Sequence, residues 1–448
     1  MIPAESLLTS TLRTHPRGLA VSRILAAALA AVEPGEAVRH SVRREGERLV
    51  VAGRDYDLSA YRRIAVLGMG KAGVGMAEAL AERLEGHLSG GLVVTKHAPP
   101  AVSIPLTVLE GGHPLPDEHS LAAGQKILAL LSSLGAEDLL WCLISGGGSS
   151  LASAPLPGVT LTDLREMTTA LLSCGARVDE INTLRRHLDR IKGGGLIKLA
   201  NGATVISLIL SDVVGNPLEA IASGPTAPDP TTRAEAQSVI QRYSLQGKIP
   251  AVIGEVLNGA PETPKPGEAI FDRVQNVLIG SNLLAAQAAL MQAEQEGFHP
   301  YLWRTDLQGE ARQAAFELAT YLRQARQTGL PVPPPACIVV GGETTVTLRG
   351  KGLGGRNCEL ALAAVTELAD YPGVLLASLA TDGEDGPTDA AGAVVTGETF
   401  RRAAELGLNP MTFLDRNDSY GFFAGLGDLL KPGSTGTNVN DLIFLFSY

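Results

Sequence analysis

The sequence predicts an α/β protein of two domains with mostly parallel sheets. Two observations carry that reading. Short apolar runs repeatedly end in glycine or polar turns and are followed by longer segments with helical spacing, which is the rhythm of βαβ units. The chain is also 448 residues long and 45 % apolar, more than one α/β core usually holds.

In chain order the expected strands are 64–67, 91–94, 139–144, 203–210, 274–279, 337–340, 374–379 and 442–446. Most are expected to be buried and parallel, because their apolar runs are continuous rather than alternating. Helical spacing marks 74–84, 121–131, 161–172, 285–293 and 311–322. Prolines in 228–266 and 329–335 punctuate the pattern. They set an N-terminal domain at 1–240, a connecting region with further α/β elements at 241–335 and a C-terminal domain at 336–448.

Composition excludes several function classes. A net charge of −10 without a basic run offers nothing to neutralise a nucleic-acid backbone, so neither DNA nor RNA is expected as a partner. No run of about twenty apolar residues is free of charge, and the N-terminus lacks the progression of a signal peptide, so no membrane is expected and a cytoplasmic location is. Cys142, Cys174, Cys337 and Cys358 are scattered and form no CxxC pair, against a zinc site or a disulfide framework.

Chemistry in an open α/β sheet gathers at the carboxyl ends of strands, and the unusual sequence lies there. Gly68, Gly70 and Gly73 in VLGMGKAG match G-x-G-x-x-G between an expected strand and helix, so the first domain reads as Rossmann-like. A dinucleotide site would also want an acid at the end of the next strand, about twenty residues on. Lys96 and His97 stand there instead. Lys71 inside the turn suits a polyanion or a phosphoryl group in transfer. The run Ser145, Gly146, Gly147, Gly148, Ser149 and Ser150 has the composition of a backbone nest for an anion. It is not a nucleophile elbow, and no P-loop occurs anywhere.

Acids collect in the same loops: Asp212, Glu343 beside Thr344, and the group Asp382, Glu384, Asp385 and Asp389. Carboxylates beside glycines suit a Mg²⁺ ion shared with nucleotide phosphates, although each acid alone also suits a helix cap. In the stretch 350–359, GKGLGGRNCE, four glycines surround Lys351 and Arg356 ahead of a helix pattern, an arrangement able to stabilise charge on a phosphoryl group. His113 lies in a glycine- and proline-rich loop and reads as a turn residue.

Taken as a set, VLGMGKAG, GGHPLPDE, LISGGGSSLA, LRRHLDRIKGGGL, SDVVGNPLEAIASGPT, GGETTVTLRGKGLGGRNCELAL, ATDGEDGPTDAAGAVV and GTNVNDL closely resemble the glycerate kinase type II family, whose C-terminal part is the MOFRL domain. The resemblance spans nearly the whole chain in the family's order. It implies two α/β domains with the active site in the cleft between them, and phosphorylation of D-glycerate to 2-phosphoglycerate with ATP and Mg²⁺. The family's two key cations fall on Lys71 and Arg356. Binding roles are expected for Gly68, Gly70, the Ser145 to Ser150 run, Lys192, Gly193, Glu343 and Thr344, with Asp212, Asp382 and Asp385 on the metal. The family usually reads S-D-V-x-G-D, and here Asn216 takes the last place. Members have also been labelled hydroxypyruvate reductase, which keeps an NAD(P)H-dependent reductase as the alternative. A homodimer is the assembly considered.

Overall fold

The computed structural model describes residues 2–99 and 104–448. They form two compact units, Pro34–Ile279 and the pair of segments Met1–Glu33 and Gly280–Tyr448.

The unit Pro34–Ile279 opens with an antiparallel meander of β1 (Val42–Glu45), β2 (Arg48–Val51) and β3 (Arg54–Asp57). Its main sheet uses β4 (Arg63–Met69), β5 (Leu88–Thr95), β6 (Thr107–Glu110), β7 (Asp138–Ile144), β8 (Thr204–Leu210) and β9 (Val274–Gly280) in the order β6-β5-β4-β7-β8-β9. Strands β4 to β8 are parallel. The sheet reverses its winding between β4 and β7, the switch point where such folds bind ligands. All seven residues of β7 are buried, as a strand covered on both faces must be. Its first residue, Asp138, takes hydrogen bonds from both Arg62 and Arg63, which offset the burial of its charge. Helices close over the sheet where local signals say they start. Asp117 and Ser120 form a capping box for Glu118–Ser132, and Thr160 and Asp163 another for Leu161–Ser173.

The second unit carries β10 (His299–Leu307), β11 (Ala336–Gly342), β12 (Val374–Ala380), β13 (Gly392–Thr396), β14 (Leu429–Leu430) and β15 (Asp441–Ser447) in the order β10-β11-β15-β12-β13-β14. Here the expectation of parallel strands fails. Only β10 and β11 pair in parallel, while β15 runs antiparallel to both its neighbours. A strand buried on both faces reads as one apolar run in either direction, so the run 442–446 held no directional signal. The core of this unit packs Leu318, Leu322, Leu362, Phe422 and Phe423 against the sheet.

All eight expected strands and five expected helices form, with helix ends within three residues except that the helix expected at 311–322 runs on to Thr328. The expected domain boundaries at 240 and 335 are not those of the compact units. Residues 241–279 belong with the parallel sheet, and 280–335 with the C-terminal one. Proline and glycine mark turns, and nothing in a turn says which sheet the next element joins.

Candidate functional site

The switch point brings two of the glycine motifs into contact. Gly70 follows β4 with φ +135°, and a Cβ there would stand 2.1 Å from Ser145 Oγ, so only glycine lets the two turns touch. Lys71 N–H donates to Gly146 O at 3.0 Å, and Ala72 N–H to Ser145 Oγ at 3.1 Å. Two amides at the start of the helix Gly73–Arg83 are therefore used within the protein. The Lys71 side chain is exposed. Gly68 and Gly73 both lie against Val93 of β5, so the fingerprint glycines chiefly permit close packing.

The Ser145 turn keeps its own donors. Ser145 N–H donates to Met69 O and Gly148 N–H to Ser145 O, whereas no backbone carbonyl among the described residues takes the N–H of Gly146, Gly147 or Ser149. Gly147 is left-handed at φ +85° ahead of the short helix Gly148–Leu151, the alternation that makes an anion-binding concavity. Asp212, after β8, packs on the other side, where a Cβ on Gly146 would lie 2.3 Å from its Oδ2. His113 closes the turn from a direction the sequence did not reveal, 2.9 Å from the position of a Cβ on Gly147. Burial holds its pKa down, with help from Lys71 and Lys96, so it stands neutral beside the lysine.

Ser149 Oγ lies 2.8 Å from Ser223 Oγ, which in turn reaches Asn182 Oδ1 at 3.2 Å. Ala222 and Ser223 both have positive φ, a strained arrangement for residues with side chains, and it is this kink that places Ser223 on the turn. Asn216 also has positive φ, 54°, a conformation asparagine adopts readily. The KGGG motif does something other than expected. Lys192 is buried and bonded to Asp189 at 2.6 Å, and the amides of Gly193, Gly194 and Gly195 are taken by Ser223, Gly224 and Lys192. Those amides are not available to a phosphate.

In the other unit Arg356 opens the helix Arg356–Glu367. Its Nε and Nη2 grip the two oxygens of buried Asp441, and Nη1 donates to Glu343 at 2.7 Å. Burial pulls the Arg356 pKa down, but Asp441, Glu343 and Asp385 outweigh it and hold the guanidinium firmly charged. Thr344, next to Glu343, is buried. Sequence reasoning missed Asp441, although an acid opening the apolar run of β15 is the signal that marks it.

Asp385 departs from its expected metal role. Its oxygens accept the N–H groups of Asn357 at 2.9 Å and Cys358 at 2.7 Å, so it caps the helix that carries Arg356. A Cβ on Gly355 would stand 2.3 Å from the same carboxylate. Asp389 is likewise engaged, by Tyr420 and Lys431. Asp382 is partly buried, and among the described residues its side chain accepts only the N–H of Glu384. Among the described residues no three His, Cys, Asp or Glu side chains group as a metal cage. The donor set fits Mg²⁺ that arrives with phosphates and takes one or two carboxylates. Asp385, spent on its helix cap, does not suit that role.

Comparison with known proteins bears on these two constellations. Residues 20–258 match the family described as "Domain of unknown function (DUF4147)", and residues 336–441 match the MOFRL family. "Glycerate 2-kinase" of Pyrococcus horikoshii is 38 % identical over 94 % of this chain and 95 % of its own. The chain belongs to the glycerate kinase family. "D-glycerate 2-kinase" of Thermotoga maritima is 40 % identical, over 85 % of this chain and 90 % of its own. A protein of Agrobacterium vitis named "Putative hydroxypyruvate reductase" is 42 % identical over 85 % of this chain and 86 % of its own. The solved Thermotoga maritima glycerate kinase superposes with a TM-score of 0.86 at 37 % identity, covering 95 % of this chain and 98 % of that one.

Proposed function

We propose that this protein is a glycerate 2-kinase, which transfers the γ-phosphoryl group of ATP to the 2-hydroxyl of D-glycerate with Mg²⁺. The observation that carries the reading is the switch point, where exposed Lys71 adjoins Asp212 and a glycine turn whose N–H groups at Gly146, Gly147 and Ser149 meet no backbone carbonyl among the described residues, in a chain whose relatives are named glycerate kinases. Phosphoryl transfer depends mostly on positioning and on neutralising charge. Lys71 and Arg356 supply the cations, and the amides of Gly146, Gly147 and Ser149 orient an anionic group. Mg²⁺, when bound, would neutralise charge on the phosphate oxygens, and Asp212, packed against the Ser145 turn, is the carboxylate we assign to it. Four free thiols fit a cytoplasmic setting.

The reductase is the second reading, favoured by a G-x-G-x-x-G turn at the switch point. Lys96, just past β5, stands where a dinucleotide fold places its ribose-binding acid. Purified protein with D-glycerate, ATP and Mg²⁺ is expected to release ADP only when glycerate is present. Oxidation of NADPH by hydroxypyruvate without ADP release would reverse the assignment. Lys71→Ala and Arg356→Ala are each expected to lower kcat roughly 10³-fold, as loss of a phosphoryl-stabilising cation does. Near-normal rates in both would remove these residues from the chemistry.

A further inference from the structure

One face of the helix Val178–Leu188 braces the Ser145 turn and the segment Ser153–Ala154 beyond it. Asn182 and Arg185 stand at i and i+3, which places them on that face, and Asp189 follows as the extended residue just past the helix end. Asn182 is tied to the turn through Ser223 and Ser149. Asp189 accepts from Ser153 Oγ at 3.1 Å and from Ala154 N–H at 3.0 Å, and also pairs with Lys192 at 2.6 Å. Arg185 sits between these two anchors. It is partly buried, and burial lowers its pKa.

Arg185 lines a small pocket with Ser149, Ser150, Lys192, Leu164 and Met167. Lys192 and Asp189 pair with one another, which leaves the Arg185 guanidinium as the remaining cation of the pocket, beside an apolar wall. A cation withdrawn from water without a counter-charge is costly, and a bound anion relieves that cost. The planar fork of arginine matches the two oxygens of a carboxylate. A single positive charge in a narrow pocket suits a monoanionic carboxylate better than a polyphosphate.

We propose that the guanidinium of Arg185 binds the carboxylate of the small hydroxy-acid substrate. This rests on the glycerate kinase reading for the identity of the acid, but not for the existence of the site. The test is calorimetric binding of D-glycerate to the full-length protein without nucleotide, beside steady-state KM values for glycerate and ATP. Arg185→Ala is expected to weaken D-glycerate binding about 100-fold, in line with truncating one partner of a buried charge pair, while the KM for ATP changes less than about twofold. Arg185→Lys keeps the charge but not the fork and is expected to recover only part of the affinity, and it also covers the case in which the alanine variant fails to fold. Glycerol, which lacks the carboxylate, is expected not to bind the wild type.

Unchanged glycerate affinity in both variants would overturn the assignment even if ATP-dependent turnover is confirmed. A selective loss of ATP affinity would give the pocket to a phosphate and overturn it too. Glycerate binding that depends on Arg185 in a protein without kinase activity would leave the site standing while the kinase reading falls.

Discussion

Arg356 makes three of its hydrogen bonds to two carboxylates of unlike character. Asp441 is buried and holds it with both oxygens, whereas Glu343 is half exposed and makes one contact. The first pair orients the guanidinium, and the second is a single contact on its outer side. Burial pushes the Asp441 carboxyl up to about 6, although Arg356 beside it pulls the other way. A raised carboxyl pKa means that the proton binds as pH falls through that value, and the fork then loses its charged acceptor. The kcat is therefore expected to drop along a one-proton limb below about pH 6. Asp441→Asn should remove that limb and lower the plateau, and a pH profile of both proteins is the measurement. A wild-type profile flat through this range would show that Asp441 does not govern the arginine.

At the scale of elements, the acidic loop after β12 divides its labour in a way its sequence does not display. Asp382, Asp385 and Asp389 look alike in TDGEDGPTD, yet Asp385 caps a helix, Asp389 pairs with Lys431, and Asp382 keeps most of its acceptor capacity. Asp385→Ala strands two buried amides at the N-terminus of the Arg356 helix and is expected to cost about 1–3 kcal/mol of stability. Asp382→Ala, which strands only the N–H of exposed Glu384, is expected to cost less than about 1 kcal/mol, and to raise the Mg²⁺ requirement of the reaction. Urea denaturation and a Mg²⁺ titration of both variants separate the two roles. If the two variants behaved alike, the division would be wrong. The KGGG turn carries the same lesson, since its glycines spend their amides on the backbone of Ser223 and Gly224.

For the whole molecule, the donor arrangement separates metal use from metal-dependent folding. With no grouped cage among the described residues, a chelator is expected to abolish ATP turnover while shifting the melting temperature by less than about 1 °C, since a weakly held ion adds little stability without its ligand. A large fall in melting temperature on chelation would reveal a structural ion. The continuous apolar runs and the glycine punctuation determined the strands, the α/β class and the loops in which Lys71, Ser145 and Arg356 lie, because burial on both faces and left-handed turns each demand particular residue types. Those demands are local, so they were legible. Strand direction in β15, the sheet joined by residues 280–335, the closeness of His113 to the Ser145 turn and the grip of Asp441 on Arg356 were decided only by the tertiary structure. Each brings together residues far apart in the chain, and neither periodicity nor composition encodes which distant partner a buried strand or a buried charge will meet.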